Sequence, residues 1–567
     1  RKKDFSGSTV LQIMLFVGAL RIILGVTLGA WIDGNDFWDS AMMVNYANLV
    51  DHFKNPNVTS VVKFIAYPFF LWVTHFIRFV PYTVWVSILW IFTGTLAYFM
   101  CRKFGMSRKF AVFFYLYFAF LPEAFCVDAG TRIYRNSIIG PFSLISFLWM
   151  LLLGFAIKEY DEGKKRGILA AVMTGLFTGF TEYIKEDGIW IVACLIFATA
   201  LYAAEALFLI RKKRICKKSV WICVLLPLIC VALVSLGYRA VNLKFFGVFE
   251  TNTRTGGQTG KFIENVYRIE SEERTSSIWA PVDAIEKAFE ASQTLSGTPE
   301  FLDAIKTSVW LRGDIYENPI LGDFLGWVIL TEYEKVFGWD DEGQKEDFFR
   351  QVNKELKEAF RDGRLKREKG RLILLPSAGS KSFAEIVQMK DQIGMSYHCA
   401  IWLYQYEAGI RDTKPNLIED ALGAMANTNA AVFTNLSYIW DYSEILGISE
   451  KASKVCDVIF VIYRIWNTIF VGILFLNFIC MIFCFFKKKL TDPVSVLCTW
   501  GSILFIGISF AYTFGIAWFS SFLHSPEVNT YWINYYVTAL PVILGLSYCL
   551  SLISVTRAWS AVRPAAE

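Results

Sequence analysis

Long runs of apolar residues are the feature that most constrains the fold of this chain. A run of about 20 apolar residues is long enough to cross a bilayer as a helix. Only 19% of the 567 residues are charged, which is below the roughly 25% typical of soluble domains. The sequence therefore predicts a mainly α-helical, polytopic transmembrane bundle. The apolar runs are 8–31, 64–80, 82–101, 110–125, 137–157, 167–183, 188–210, 219–241, 455–482, 492–514 and 536–555.

Basic clusters between these runs predict which helix ends are cytoplasmic, because Lys and Arg are retained on that side. The clusters alternate correctly from residue 102 onward, but one run must fail to cross. We expect that run to be 64–80, which is short and interrupted by Pro68, and which would lie along the outer interface. The run 8–31 is expected to be a retained span and not a cleaved signal peptide. About ten spans remain.

An acidic segment interrupts this basic membrane protein. Residues 242–452 contain 24 Lys+Arg and 33 Asp+Glu, a net charge of −9, while the rest of the chain carries +14. We therefore predict three parts. These are an N-terminal transmembrane module (1–241) with an acidic outer loop (32–62), a mostly helical extracytoplasmic insert (242–452), and C-terminal transmembrane helices (453–567). Within the insert, apolar spacing predicts helices over 343–361, 381–393 and 415–426.

Several classes of function are disfavoured by the sequence. Four scattered histidines and the absence of a CxxC pair argue against a protein-built zinc site. The insert has a single cysteine, Cys399, and so no disulfide framework. No glycine-rich loop follows a strand, and no long basic face is interleaved with aromatic residues. Nucleotide and nucleic-acid binding are therefore not expected.

The first outer loop contains two acidic residues, Asp36 and Asp39, three positions apart. Beside the bilayer and next to Phe37 and Trp38, such a carboxylate would have a raised pKa and could act as a general base. The alternative is structural. Asp36 would then cap a helix starting at residue 37, with Asp39 in its first turn.

The loop after the 110–125 run carries Asp128, Arg132 and Arg135. Two arginines at the outer interface suit a phosphate or diphosphate group. The alternative is that they are interfacial anchors, or that one of them pairs with Asp128 as a supporting acid.

The outer loop around residues 182–187 is the most charged connection between two apolar runs. Lys185 could bind a phosphate, and Glu186 and Asp187 could orient it or hold a cation; otherwise the loop is a solvated connector. Arg239 reaches the same outer side. Three short outer loops thus carry nearly all the non-cytoplasmic charge of the first eight runs, which predicts one shared site.

A separate cation, Arg21, lies inside the first apolar run. A charge at that depth needs a partner. Glu123 and Glu205 are the candidates, in a structural role.

Four segments resemble those of a bacterial family within the GT-C superfamily of membrane glycosyltransferases. The likeness covers roughly residues 10–370, and Ser40 stands where that family has a second acid. The segments are Asp39-Ser40-Ala41-Met42, Tyr67-Pro68-Phe69-Phe70-Leu71, Arg132-Ile133-Tyr134-Arg135 and Tyr183-Ile184-Lys185-Glu186-Asp187-Gly188-Ile189-Trp190.

The resemblance implies an inverting glycosyltransferase of the bacterial cytoplasmic membrane, with its active face outward. The donor would be a sugar on a polyprenyl phosphate, and the acceptor a cell-envelope glycan, lipid or protein. Asp39, or Asp36 in its place, would be the base, and Arg132, Arg135, Lys185 and Arg239 would bind the donor phosphate. No cofactor is implied, and a divalent cation stays open. A lipid or polysaccharide transporter and a non-catalytic membrane binding protein are the alternatives.

Overall fold

The computed structural model describes residues 4–32, 39–40, 42–75, 77, 80–213, 219–311, 313–411, 442–486, 492–524 and 527–562. These residues are mainly helical, and their β-pairing is confined to isolated bridges. The α-helices are α1 (Gly7–Leu28), α2 (Met42–Ala47), α3 (Leu49–Lys54), α4 (Ala66–His75), α5 (Tyr82–Lys103), α6 (Arg108–Ala119), α7 (Asn136–Lys158), α8 (Tyr160–Glu182), α9 (Ile189–Arg211), α10 (Val220–Phe246), α11 (Gly257–Val266), α12 (Val282–Ala291), α13 (Gln293–Ser296), α14 (Pro299–Lys306), α15 (Phe324–Phe337), α16 (Glu342–Asp362), α17 (Phe383–Trp402), α18 (Tyr442–Phe486), α19 (Pro493–Ser520), α20 (Thr530–Tyr536) and α21 (Leu540–Val562).

Within the described residues, eight helices are long and apolar enough to cross a membrane: α1, α5, α7, α9, α10, α18, α19 and α21. This confirms the helical, multi-span class of the protein. Helix α4 has ten residues and is therefore about 15 Å long. It is too short to cross an apolar layer of about 30 Å as a helix. Helix α6, with 12 residues, is also short.

Contacts at one end of the bundle, here called the basic end, bring several helix termini together. The Asp4 carboxylate accepts hydrogen bonds from the backbone amides of Arg108 and Lys109, at 2.9 and 3.1 Å. The Arg557 guanidinium donates to the Phe104 carbonyl at 2.9 Å. The starts of α1 and α6 therefore meet the ends of α5 and α21 here.

At the opposite end, the end of α1 meets the starts of α7 and α21. The Trp31 amide donates to the Thr131 carbonyl at 3.0 Å, and the Asn136 side chain donates to the Tyr535 carbonyl at 2.9 Å. Residues 108–135 therefore run the length of the bundle. Only their first part is α-helical; a short 3₁₀ turn, Pro122–Phe125, and a buried loop complete the path.

Arg21 does not pair with either acid that we expected. Its guanidinium donates to the Ala119 carbonyl at 3.0 Å and to the Ser87 hydroxyl at 3.1 Å. Ala119 is the last residue of α6, so its carbonyl has no partner within the helix and is available to the arginine. Glu123 instead accepts from the Tyr406 hydroxyl, and Glu205 pairs with Lys158.

The insert is built from the short helices α11 to α16 around an apolar core of its own. Helix α16 confirms the helix expected over 343–361, and it ends at Gly363, whose φ of 83° suits glycine. Glu346 of this helix accepts hydrogen bonds from the first amides of α11, which ties the two helices together. The core also includes Trp518 and Phe522, so the insert rests on the end of α19.

Helix α17, the last one described before residue 411, packs along the membrane helices. It begins at Phe383, inside the expected helix over 381–393, but extends to Trp402. Tyr397 hydrogen-bonds with Ser509 of α19, at 2.7 Å, and the Trp402 carbonyl accepts from Arg464 of α18. The chain then turns back and runs beside residues 126–131 as far as residue 411. The helix expected over 415–426 lies outside the described residues.

Candidate functional site

Asp39 lies at the centre of a group of polar side chains at the end of the bundle opposite the basic end. One of its carboxylate oxygens contacts the Lys63 ammonium at 2.7 Å and accepts from the Tyr134 hydroxyl at 2.9 Å. The other oxygen accepts from the Tyr535 hydroxyl. These partners come from three separate parts of the sequence. Asp39 therefore connects segments that are distant in the sequence. Asp36 lies outside the described residues.

The environment of Asp39 differs from the one that we expected. Burial raises the pKa of this carboxyl group, but the positive charges of Lys63, Arg135 and Arg132 outweigh burial and hold the pKa well below its usual value. The prediction of a raised pKa is therefore wrong for Asp39. It failed because the sequence alone did not show that Lys63 lies next to this carboxylate. Asp39 is a carboxylate at neutral pH, surrounded by cations.

Arg132 is held between aromatic rings and the residue after Asp39. Its Nε donates to the Ser40 hydroxyl at 3.0 Å. Its guanidinium carbon lies 5.1 to 5.6 Å from the ring centroids of Trp31, Tyr134 and Tyr535. Ser40 thus positions the arginine.

Arg135 connects the Asp39 loop with the loop after α8. Its Nη1 contacts the Glu186 carboxylate at 2.5 Å, and its Nη2 donates to the Tyr134 hydroxyl, which in turn donates to Asp39. The guanidinium holds the pKa of Glu186 low, at about 2, against the opposing effect of burial, with help from Lys63. The two arginines of the predicted phosphate pair therefore have different surroundings. Both lie within the same group of side chains.

Lys185 is the most unusual residue of the group. Its side chain is 4% exposed, and its ammonium nitrogen forms no hydrogen bond. The nitrogen lies 5.9 and 5.5 Å from the ring centroids of Tyr535 and Tyr536. Burial lowers the pKa of Lys185 and raises that of the neighbouring Asp187, which also has a buried oxygen without a hydrogen bond. A buried charge without a hydrogen bond is costly unless something binds it.

The insert covers one side of this group. Trp327 of α15 lies 5.3 Å from the Lys63 ammonium and 5.0 Å from the guanidinium of Arg254. Arg254 in turn pairs with Asp323 at 2.8 Å. We call the whole set the outer cluster: Asp39, Lys63, Arg132, Tyr134, Arg135, Lys185, Glu186, Asp187, Arg254, Asp323, Trp327, Tyr535 and Tyr536.

Two residues of the predicted site, Asp128 and Arg239, form ion pairs with residues that were not predicted to belong to it. Asp128 lies 2.6 Å from Arg411, whose guanidinium is within 6 Å of the rings of Trp31 and Tyr531. Asp128 therefore pairs with Arg411 at the edge of the outer cluster. Arg239 pairs with Glu250 at 3.2 Å. Arg239 also contacts Phe249, and the structure does not bring it into the outer cluster.

Lys63, Arg254, Tyr535 and Tyr536 were not predicted from the sequence. Lys63 directly precedes an apolar run, so it resembled an ordinary interfacial anchor. The two tyrosines belong to the aromatic-rich stretch 531–536 beside the last span, and that stretch was the available signal. Arg254 had no distinguishing pattern.

The outer cluster is closely packed. Side-chain exposure is 5% for Lys63 and Arg135, 19% for Glu186 and 22% for Asp39. Nowhere in the described part of the chain do three histidine, cysteine or acidic side chains gather in a metal-binding arrangement. In the outer cluster, Asp39, Glu186 and Asp323 each contact a cation. This arrangement favours an anionic ligand that would take over some of these cationic contacts.

The fold and this site define a polytopic helical membrane protein with a buried, mixed-charge cluster at one end of its bundle. No protein-family model, curated protein or solved structure matches the chain.

Proposed function

We propose that the protein is a membrane glycosyltransferase that takes a sugar from a polyprenyl phosphate. It would transfer the sugar to an extracytoplasmic glycan, lipid or protein. Asp39 would accept the proton of the acceptor hydroxyl while the hydroxyl oxygen attacks the anomeric carbon. The bond from that carbon to the phosphate oxygen breaks, the phosphate keeps the bonding electrons, and the configuration inverts. Cations positioned beforehand near the departing phosphate stabilise its developing charge.

The observation that carries this proposal is the buried ammonium of Lys185, which forms no hydrogen bond and lies beside Arg135 and Asp39. In this interpretation the donor phosphate provides the missing partner of Lys185. Arg135 is linked to Asp39 through Tyr134, so donor binding and proton acceptance would occur within one connected network. The distance from the Lys185 nitrogen to the Tyr535 ring is 5.9 Å, and Tyr535 also contacts Asp39.

We also propose ten crossings of the bacterial cytoplasmic membrane, with the basic end cytoplasmic. The two crossings beyond the eight long apolar helices would be made by residues 108–135 and by α8. Residues 108–135 connect the two ends of the bundle. Helix α8 begins beside the start of α10, where Tyr160 contacts Ser219. It ends three residues before Lys185. The outer cluster and the insert would then face outward.

A transporter is less well supported by the position of the charges. Transporters commonly place ionisable groups near the middle of the membrane. Here the ion pairs of Asp39 and Arg135 collect at one end of the bundle, and Arg21 is satisfied by a carbonyl and a hydroxyl. This distribution favours chemistry at a surface.

The direct test follows the transfer of radiolabel from polyprenyl-phosphate sugars by the purified full chain. We expect Asp39→Asn to lower turnover by about 10²–10⁴-fold, the usual cost of losing a general base, with donor binding largely retained. Lys185→Met should weaken both donor binding and turnover. Asp51→Asn is the matched control, since Asp51 lies in the same outer loop but is exposed and contacts Asn55.

Wild-type turnover in Asp39→Asn with normal folding would show that Asp39 is not the base. Failure of the wild-type protein to consume any donor in a panel of polyprenyl-phosphate sugars would contradict the proposed reaction.

A further inference from the structure

A second concentration of charge lies on the insert, away from the outer cluster. Residues 354–371 contain eight of the 24 basic residues of an insert whose net charge is −9. Basic residues are thus concentrated in a short stretch of an otherwise acidic segment. This stretch forms the second half of α16 and the segment that follows it.

Most of these cations form no ion pair with the described residues, although the stretch also contains Glu355, Glu358, Asp362 and Glu368. Arg364 pairs with Asp362, and Arg371 pairs with Glu385. Nearby Glu368 pairs with Arg274. Among the described residues, the remaining six basic side chains of the stretch form no ion pair: Lys354, Lys357, Arg361, Lys366, Arg367 and Lys369.

Four of these six side chains line one cavity of about 370 Å³. Lys354, Lys357 and Arg361 lie on one face of α16, because positions i, i+3 and i+7 share a helix face, and they span about 10 Å along it. Arg367 closes the other side, with its guanidinium 4.9 Å from the Phe360 ring. Glu358 is the one acidic residue in the lining.

The size and charge of this cavity select the kind of ligand. Its volume is that of a pocket for a small organic ligand and is larger than a single ion requires. Four basic groups against one carboxylate favour a ligand with several negative charges. Arginines are suited to phosphate oxygens, which they bind with paired hydrogen bonds. The cations line a concave surface, whereas a membrane is flat, so an inserted chain fits better than a lipid surface.

We propose that this cavity binds a segment of an anionic polymer that carries repeated phosphate groups. Successive phosphates would contact the row of cations on α16, and Arg367 would hold the chain against Phe360. The proposal does not depend on the proposed transferase activity.

The test measures binding of fluorescently labelled short-chain polyphosphate to the full chain in nanodiscs of neutral phospholipid. We expect saturable binding that weakens as salt increases, since exposed charges are screened. The double substitution Lys357→Glu with Arg361→Glu should weaken binding by about tenfold or more, because like charges then face the ligand. Lys390→Glu is the matched control, being an exposed lysine of the same insert outside the cavity.

Equal binding by the wild-type protein and the double variant would overturn the proposal. So would an equal loss in Lys390→Glu, which would indicate a response to net charge alone. Labelled neutral dextran should not bind. If polyphosphate does not bind, and the double substitution instead reduces binding of the reconstituted protein to separate vesicles that contain phosphatidylglycerol, the cavity is a lipid-headgroup site and the polymer proposal is wrong.

Discussion

At the scale of single residues, the pairing of Lys63 with Asp39 determines how the outer cluster responds to pH. Burial raises the pKa of Asp39, and the charges of Lys63 and two arginines more than offset it. The carboxylate form is the proposed base, so turnover is lost only when pH falls through this low pKa. Without Lys63, less positive charge offsets the effect of burial, so the pKa of Asp39 must rise.

We therefore predict that Lys63→Met moves the acid limb of the pH–rate profile to higher pH, because the carboxylate loses its adjacent opposite charge. Lys63→Arg should keep the limb near its wild-type position. An unchanged limb in an active, folded Lys63→Met protein would show that the ion pair does not control Asp39.

A second prediction concerns Lys185 and requires no substrate. Its buried ammonium has no hydrogen bond in the free protein, so methionine, whose side chain is of similar length, removes a buried polar group that is not hydrogen-bonded. We expect Lys185→Met to stabilise the ligand-free protein by about 1–3 kcal/mol, the typical cost of a buried unsatisfied polar group. Thermal unfolding in one detergent measures this. Lys63→Met, which breaks a buried ion pair, should instead destabilise the protein. A lower melting temperature for Lys185→Met would mean that the ammonium is already compensated.

At the scale of the elements, the loop between α8 and α9 must be tight to present Lys185 and Glu186. Gly188 makes this loop possible, since a Cβ there would lie 2.1 Å from the Glu182 carbonyl oxygen. The Gly188 amide also donates to the Lys185 carbonyl at 2.9 Å, which closes the turn.

Gly188→Ala should therefore shift the loop, destabilise the protein by about 1–3 kcal/mol and reduce any activity of the outer cluster. Gly237→Ala is the control, because a Cβ at that position of α10 meets no atom within 4 Å. Melting temperatures of both variants, measured together, separate the two effects. Equal melting temperatures would show that the loop adapts to a side chain without cost.

At the scale of the whole molecule, ten crossings place Lys165 and the insert on opposite sides of the membrane. A membrane-impermeant maleimide should label Lys390→Cys in intact cells, and should label Lys165→Cys only after the cells are made permeable. The unsubstituted protein provides the background from its native cysteines. Labelling of Lys165→Cys in intact cells would rule out this orientation.

Local patterns in the sequence determined the class of the protein. A long apolar run predicts a spanning helix, because a helix satisfies its backbone hydrogen bonds internally, as the apolar layer of a bilayer requires. The multi-helical membrane class, the helix α16 and the shortness of α4 followed from such patterns. The sequence also indicated Asp39, Arg135 and Lys185 as candidate site residues, because charged residues beside long apolar runs are conspicuous.

Only the tertiary structure decided what surrounds those residues. Tyr535 reaches Asp39 from 496 positions away, and Lys63 lies 24 positions away, beyond α2 and α3, so no local pattern connects them. Arg21 donates to a carbonyl at the end of α6 and does not pair with an acid. The last carbonyls of a helix have no partner within the helix, and the packing of the helices decides which side chain reaches them. Charge and hydropathy patterns can be read from neighbouring residues in the sequence. The pKa values and the ion pairs depend on which distant groups the packed helices bring together.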